Sequence, residues 1–440
     1  MNKILQQPNW PNQQQYLKII SRIKQYPQLV YPNEINKLKL ELKEVAKGNK
    51  FIIQGGDCAE TFKNFSEDII KGKLKILLQM SAIIQYSTKL KTVNIGRIAG
   101  QYIKPRTHSH ETRDGVTLPA YRGDGVNAID FDKHKRQPNP KRLIQAYHQS
   151  ASTMNLIRSL IMNGFTDISQ IKLWNQDLLI NSPLGVKYKT IVNNITSMLD
   201  FIHDSGLVNN KYNDSDSFNL YTSHEAILLD YEKAFMNKNF CCSAHMLWVG
   251  DRTRDVNSEH IKFISKLDNP VAVKIGPTIN ENDICKIYEK INPKNEIGKV
   301  LFISRLGEKN IDKMLPKFFS KIKYYGLESL WICDPMHGNT ITAKNGYKTR
   351  KFKTIIDELM CFFEICESEN IKPSGVHFEL TGENVTECLG GINNIKDVDL
   401  DQRYETTCDP RLNNEQSLEI AFLIAKLLKE KGENIEKTTH

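Results

Sequence analysis

Residues 271–275 read Val271-Ala272-Val273-Lys274-Ile275, and residues 300–303 read Val300-Leu301-Phe302-Ile303. Both are short, almost continuous apolar runs of β-branched and aliphatic residues, and turn residues bound them. Strands of this kind are buried on both faces, as in a parallel sheet that is covered by helices. The two runs therefore predict strands of a parallel α/β sheet.

The same clustering recurs along most of the chain. Strand-like runs lie near 51–54, 92–98, 218–222, 245–249, 271–275, 299–304, 329–333 and 375–380. Patterns with helical spacing lie between them, at 66–86, 223–235, 257–267, 281–291, 310–324 and 349–369. Eight alternations of strand and helix predict an α/β fold, a (β/α)8 TIM barrel.

Two segments fall outside the repeat, although we expect residues 1–440 to form a single catalytic domain. Residues 1–50 form an N-terminal extension with one amphipathic helix near 33–46. Residues 100–217, between the second and third strands, are too many for a loop. We interpret them as a substrate loop and a helical insertion within the barrel, the helical part at about 140–203. A surface elaboration without a function explains the insertion equally well.

Composition and charge exclude several classes of protein. The chain is 40% hydrophobic and 25% charged, as is usual for a globular protein. Its net charge of +9 comes from 60 basic and 51 acidic residues. Because the two signs alternate, as at 37–44, a solvated helix face is favoured over nucleic-acid binding. Nine cysteines without zinc-site or disulfide-framework spacing, and no apolar stretch of about 18 residues, predict a soluble, cytoplasmic protein.

Four residues of types that bind metals follow strand-like runs or precede the last helix. Taken singly, each has a plain structural explanation, such as a small buried thiol, a turn residue or a partner of arginine. Glu379 is harder to explain in this way, because it ends an apolar strand where an unpaired carboxylate is costly. A barrel brings strand ends together at one face, so we expect one divalent metal site formed by Cys58, His337, Glu379 and Asp409. A thiolate, an imidazole and two carboxylates suit Mn, Fe, Co or Zn better than Mg or Ca.

Basic residues follow the same strand ends. Lys274 is the most informative, because a lysine inside an apolar strand is rarely buried without a partner. Lys104-Pro105-Arg106-Thr107 offers two cations and a hydroxyl on a proline-stiffened loop. The set predicts an enzyme for anionic, phosphorylated substrates, and it comprises Arg97, Lys104, Arg106, Arg252, Lys274 and Arg305.

Around these residues the chain resembles the plant and microbial type II 3-deoxy-D-arabino-heptulosonate 7-phosphate (DAHP) synthases. The matching stretches occur in the same order and span most of the chain. They are QGGDCAETF at 54–62, GRIAGQYIKPRT at 96–107, LPAYRGDGVN at 118–127, WVGDRTR at 248–254, NPVAVKIGPT at 269–278, CDPMHGNT at 333–340, GVHFELTGENVTECLGG at 375–391 and YETTCDPRLNNEQS at 404–417.

The resemblance implies a reaction and a site. Phosphoenolpyruvate would condense with D-erythrose 4-phosphate and water to give DAHP and phosphate, the first step of the shikimate pathway. The resemblance implies that the metal is bound by Cys58, His337, Glu379 and Asp409. It implies that phosphoenolpyruvate is bound by Arg97, Asp251, Arg252, Lys274 and Arg305. The family usually has Glu at the position of Asp251.

The resemblance further places erythrose 4-phosphate near Lys104, Arg106 and Thr107. We expect Lys104, Lys274 and His337 to be the catalytic residues. The cofactor would be Mn²⁺, with Co²⁺, Fe²⁺ and Zn²⁺ as alternatives. The resemblance also allows Cys58 and Cys408 to approach each other, so that oxidation would block metal binding.

The expected partners follow from the same resemblance. They include a second copy of the chain in a homo-oligomer, aromatic amino acids as effectors and a chorismate mutase, with no nucleic acid and no membrane. Three alternatives stay open: the same reaction in a secondary-metabolite pathway, a related synthase for another aldose phosphate, and a non-catalytic scaffold or nucleic-acid-binding protein.

Overall fold

Eight parallel strands close into a barrel in the computed structural model, which describes residues 4–204 and 219–438. Each strand pairs with its two neighbours, and the last, β8, pairs with the first, β1. The order around the barrel is β1-β8-β7-β6-β5-β4-β3-β2. This confirms the predicted (β/α)8 barrel. The strands are β1 (Lys50–Gly56), β2 (Lys91–Arg97), β3 (Leu220–Glu225), β4 (Met246–Val249), β5 (Val271–Ile275), β6 (Val300–Ser304), β7 (Ser329–Cys333) and β8 (Gly375–Glu379).

Helices surround the barrel and cover one end of it. None of the described helices combines the length and the apolar character needed to cross a membrane. The helices are α1 (Gln13–Ile23), α2 (Pro32–Lys47), α3 (Glu67–Thr88), α4 (Lys141–Met162), α5 (Ile168–Asn181), α6 (Pro183–Lys187), α7 (Lys189–Asp204), α8 (Leu229–Ala234), α9 (Glu259–Ile264), α10 (Glu281–Ile291), α11 (Ile311–Tyr324), α12 (Phe352–Ser368) and α13 (Asn414–Thr438).

Alternation along β5 explains why a lysine lies in an apolar strand. Val271 and Val273 belong to the core between the barrel and its helices, whereas Ala272 packs inside the barrel. Side chains two apart share a face, so Lys274 follows Ala272 into the interior, one layer closer to the carboxyl ends of the strands. The two-residue period of the strand therefore places the ammonium group of Lys274 at the mouth of the barrel.

The extension closes the opposite end of the barrel. Leu38, Leu42 and Val45 of α2 pack in one cluster with interior side chains such as Ile52 and Leu301. Their spacing of three and four residues gives the helix one apolar face. Because α2 fills the amino-end opening, the interior is open to ligands at the carboxyl-end mouth.

The insertion begins with an antiparallel hairpin, His110–Arg113 and Val116–Pro119, and continues as α4 to α7. It packs against the barrel helices, and Tyr188 stacks on Phe422 of α13 with ring centroids 4.0 Å apart. Residues 205–217 of the predicted insertion and residue 218 of the predicted third strand lie outside the described residues. The division into extension, insertion and single catalytic domain stays a prediction.

One predicted helix, at 223–235, was wrong in its first part. Ser223, His224 and Glu225 belong to β3 and pair with β4, and α8 begins only at Leu229. Polar residues that are nevertheless buried concealed the strand: Ser223 is 0% exposed and donates a hydrogen bond to the Gly96 carbonyl inside the sheet. Buried polar residues that are held by such hydrogen bonds do not show the alternation of apolar and polar residues by which a strand is recognised.

The packing of β7 against α11 yields a stability prediction. Trp331 is 1% exposed, and its ring meets Phe319 edge-on with centroids 5.1 Å apart. We expect Trp331→Ala to lower the free energy of unfolding by about 3–5 kcal/mol, measured by urea unfolding, because a cavity replaces the indole. Tyr324→Ala on α11 is the control, since Tyr324 is 82% exposed and its loss should change the value by less than about 0.5 kcal/mol. Equal effects would contradict this account of the core.

Candidate active site

The four predicted metal ligands lie together at the mouth of the barrel. Cys58 follows β1, Glu379 ends β8, His337 lies in the loop after β7, and Asp409 precedes α13. The ligand atoms of Cys58, Glu379 and Asp409 all lie within 4.8 Å of one another. His337 Nε2 is 2.9 Å from Glu379 Oε1, and Cys58 Sγ is 3.4 Å from Asp409 Oδ2. Residues separated by as many as 351 positions in the sequence thus form one donor set.

The contact between His337 and Glu379 requires a positive charge. His337 Nδ1 is 2.7 Å from Asp334 Oδ2, so this nitrogen carries the proton and donates to the carboxylate. In the neutral ring, the Nε2 lone pair would then face a lone pair of Glu379 Oε1. A proton or a metal ion between them removes this repulsion, and an imidazole held by a carboxylate is the usual arrangement of a metal-binding histidine.

Glu379 itself is ionised despite complete burial. Burial alone would raise the pKa of this carboxyl, but His337, Arg350 and Arg97 together hold the pKa well below its ordinary value. Arg97 Nη2 lies 3.2 Å from Oε1, and Arg350 Nη2 lies 2.8 Å from Oε2. The site therefore offers a permanent negative charge on the barrel wall.

Lys104 occupies the space between two of the predicted ligands. Its Nζ lies 2.5 Å from Cys58 Sγ and 2.5 Å from Asp409 Oδ2. Burial raises the pKa of the Cys58 thiol, with further contributions from Cys408 and Glu379, while Lys104 opposes them. A buried thiol of this kind ionises when a metal binds it. The side chains present are therefore suited to hold a cation. They are of metal-binding types, and the ammonium of Lys104 lies between two of them.

Cys58 and Cys408 approach each other, as the resemblance allows. Both are free thiols that pack in one cluster with Tyr121. The hydrogen bond from Cys58 lowers the pKa of Cys408 to about 6. Loss of metal binding on oxidation stays a prediction.

Arg97 and Lys274 extend the positive charge into the barrel. Arg97 is 2% exposed, and its Nη1 is 2.7 Å from His377 Nε2. Lys274 Nζ donates to Asp334 Oδ2 at 3.1 Å. Burial lowers the pKa of Lys274, and the charge of Asp334 opposes this effect. Asp334 therefore contacts both the lysine and the predicted metal-binding histidine.

Asp251 contacts two arginines. Its Oδ2 accepts from Arg305 Nη1 at 3.0 Å, and its Oδ1 accepts from Arg254 Nε at 2.7 Å. Arg305 Nη2 in turn donates to the His337 carbonyl at 3.0 Å. The shorter carboxylate of Asp251 thus orients Arg305, one of the predicted phosphoenolpyruvate residues.

The residues predicted for the sugar phosphate are brought together in part. Arg252 Nη2 donates to Thr107 Oγ1 at 2.7 Å, which joins the β4 loop to the Lys104 loop. Arg106 is engaged differently, because its Nη2 pairs with Glu111 of the hairpin at 2.8 Å. Lys104 and Thr107 therefore lie at the mouth, whereas the guanidinium of Arg106 is bound to the insertion.

Several site residues were missed by sequence reasoning. Asp334 stands three positions before His337, a spacing that signals a carboxylate able to orient the ring. Arg350 and His377 gave no such signal, since their partners are distant in sequence. Glu225 ends β3, and burial raises its pKa against the opposing charges of Lys274 and Arg252. It was hidden by the incorrectly predicted helix.

Comparison with known proteins decides the family. Residues 1–425 match the model of the class-II DAHP synthetase family. The chain belongs to this family. It is 44% identical over 431 residues to a phospho-2-dehydro-3-deoxyheptonate aldolase of Streptomyces coelicolor, covering 97% of this chain and 95% of that protein.

A second relative and a solved structure complete the comparison. The chain is 39% identical over 438 residues to phospho-2-dehydro-3-deoxyheptonate aldolase AroG of Mycolicibacterium smegmatis, with 97% and 93% of the two chains covered. A structure of the aldolase of that name from Francisella tularensis is similar over 94% of this chain and 96% of its own, with 13% identity and a TM-score of 0.48. The chemistry of the DAHP synthetase family is the metal-dependent condensation of phosphoenolpyruvate with erythrose 4-phosphate in the shikimate pathway.

Arg350 gives a test of the charge balance in this family member. Arg350 is fully buried and pairs with Glu379, so Arg350→Met would leave a buried carboxylate short of positive charge. We expect the free energy of unfolding to fall by about 3–5 kcal/mol in chelator. The fall should be smaller with a saturating divalent ion, which supplies charge at the same place.

Arg403→Met is the matched control, because Arg403 also forms ion pairs, with Glu383 and Glu405, but is 41% exposed. Its loss should change the free energy of unfolding by about 0–1 kcal/mol, with or without the ion. Equal losses for Arg350→Met in chelator and in metal would contradict the proposed position of the ion.

Proposed function

We propose that this chain condenses phosphoenolpyruvate with D-erythrose 4-phosphate and water to give DAHP and inorganic phosphate at the mouth of its barrel. The observation that carries the proposal is the convergence of one thiol, one imidazole and two carboxylates beside a group of buried cations. The proposed ligands are Cys58, His337, Glu379 and Asp409. Their mixed donors favour Mn²⁺, with Co²⁺, Fe²⁺ and Zn²⁺ as alternatives.

The metal ligands prepare the aldehyde site. When bound, the divalent ion supplies Lewis-acid polarisation of the aldehyde oxygen of erythrose 4-phosphate. Asp334 holds the proton of His337 on Nδ1, and this leaves the lone pair of Nε2 available to bind the metal. Arg350 and Arg97 keep Glu379 ionised.

Phosphoenolpyruvate binds in the cationic part of the mouth. Lys274 supplies a buried ammonium group. The oxygens of an enol phosphate can accept its hydrogen bonds in place of water. Asp251 acts indirectly by orienting Arg305. The full proposed set is Arg97, Asp251, Arg252, Lys274 and Arg305.

Erythrose 4-phosphate binds on the side of the Lys104 loop, with Lys104, Arg106 and Thr107 as its proposed contacts. The Arg252–Thr107 hydrogen bond supports a site in which the two substrates are neighbours. The ammonium of Lys104 lies beside the metal ligands Cys58 and Asp409. It neutralises negative charge as the two anionic substrates approach each other. Holding two mutually repelling anions in reacting geometry is a large part of the expected rate gain.

The proposal includes a homo-oligomer and regulation by a small effector, as the resemblance to the family implies. Exposed apolar side chains on the insertion support a homo-oligomer, among them Met162, Val186 and Phe201. A cavity of about 1170 Å³ between α3, α7 and α13 supports a small effector such as an aromatic amino acid. Docking of a chorismate mutase and a cytoplasmic location belong to the same proposal.

The first test is an assay of phosphate release. Metal-depleted protein should be inactive, and added Mn²⁺ should restore turnover of phosphoenolpyruvate with erythrose 4-phosphate. His337→Ala should lose turnover at all metal concentrations because a ligand is missing. Arabinose 5-phosphate should be a poor substrate. Full activity in chelator, normal turnover by His337→Ala, or preference for arabinose 5-phosphate would contradict the proposal.

Asp251 gives a second prediction. Asp251→Ala should raise the KM for phosphoenolpyruvate about tenfold, because Arg305 loses the carboxylate that orients it. Asp251→Glu should stay within about threefold of the original, since a carboxylate remains. Asp255→Ala in the same loop is the control, because Asp255 is exposed and its carboxylate accepts from the backbone N–H of Asn257. An unchanged KM for Asp251→Ala would rule out this role.

A further inference from the structure

A buried carboxyl group on α12 joins two loops of the site, although it contacts none of the side chains proposed to bind the metal or the substrates. Glu358 is fully buried, yet the proposed mechanism gives it no task. Its Oε1 accepts from the Gly307 backbone N–H at 2.8 Å, and its Oε2 accepts from Asn339 Nδ2 at 2.6 Å. Gly307 lies two residues after Arg305, and Asn339 lies two residues after His337. Glu358 therefore bridges the loop of an anion-binding arginine and the loop of a metal ligand.

The two loops are in close contact where Glu358 bridges them. A Cβ atom on Gly338 would lie 2.4 Å from Gly307 N, so the backbones touch and leave no space for a side chain. Glu308 N–H donates to Asn339 Oδ1 at 3.1 Å, and Arg305 donates to the His337 carbonyl. The placement of one loop is therefore tied to that of the other.

The chemistry of the bridge requires two acceptor oxygens. Both partners of Glu358 are donors, and only a carboxyl group satisfies them together. Burial raises the pKa of Glu358 to about 8, and the hydrogen bonds from Gly307 and Asn339 act against this rise. A protonated carboxyl still has acceptor capacity on both oxygens, whereas glutamine would leave one donor facing an NH₂ group.

We propose that Glu358 is a positioning residue, which sets the placement of Arg305 relative to His337 and thereby couples the phosphate-binding side of the site to the metal side. The inference rests on the proposed function for the identities of the two ligands. It goes beyond that function in assigning a role to a residue outside the site.

The test measures binding, and it does not require turnover. Calorimetric titration of the full chain with Mn²⁺, and separately with phosphoenolpyruvate, gives two dissociation constants. Glu358→Gln should weaken both by about tenfold, because the two loops lose their common anchor. If Glu358→Gln is insoluble, Asn339→Ala replaces it. This change removes the partner of Glu358 Oε2, together with the Asn339 hydrogen bonds to the Pro335 carbonyl and the Glu308 N–H, and should weaken both constants in the same direction.

Glu232→Gln is the matched control. Glu232 is 1% exposed, and its two oxygens contact His224 Nε2 at 3.0 Å and Ser243 Oγ at 2.6 Å. These partners have no proposed role in ligand binding. A buried carboxyl group is thus replaced by an amide in both variants, and both lose stability, but only Glu358→Gln should change the two dissociation constants.

Two results would each overturn the proposal. They are dissociation constants within about twofold of the original in Glu358→Gln, and equal shifts in Glu232→Gln. Failure of the proposed function would appear separately, as a native chain that binds both ligands but releases no phosphate from them.

Discussion

The ionised carboxylate of Glu379 is the group on which the arrangement of the barrel mouth depends. It is fully buried at the end of β8, where an isolated charge would be too costly to keep. Three cationic or proton-bearing groups surround it, and they come from β2, from the segment before α12 and from the loop after β7: Arg97, Arg350 and His337. A closed parallel barrel is the architecture that brings such distant segments to one point.

The same principle orders the rest of the site. Several negative groups contact a positive group from a different segment, as Asp334 does with Lys274, Asp251 with Arg305 and Asp409 with Lys104. Such pairs neutralise the interior before ligands arrive, and they fix the side chains in advance. In the proposed reaction, a substrate phosphate or a metal ion would meet charged side chains that are already held in place, so little reorganisation would be needed when charge shifts.

Most strands and the candidate metal ligands could be predicted from the sequence, because each ligand lies beside a local strand or helix signal. Apolar runs such as 300–303 identify buried strands, and the position of Glu379 after such a run already indicated a functional carboxylate. Arg350 and His377 could not be predicted, since burial beside a partner far along the chain leaves no local pattern. The polar end of β3 was mistaken for a helix for a related reason: hydrogen bonds across the sheet replace the hydrophobic period there.

The most direct test of the central claim is anomalous diffraction from crystals grown with Mn²⁺. We predict one strong anomalous peak per chain at the barrel mouth, within bonding distance of Cys58 Sγ, His337 Nε2 and carboxylate oxygens of Glu379 and Asp409. A peak bound elsewhere, or a peak at the mouth that lacks two or more of these four side chains, would contradict the account.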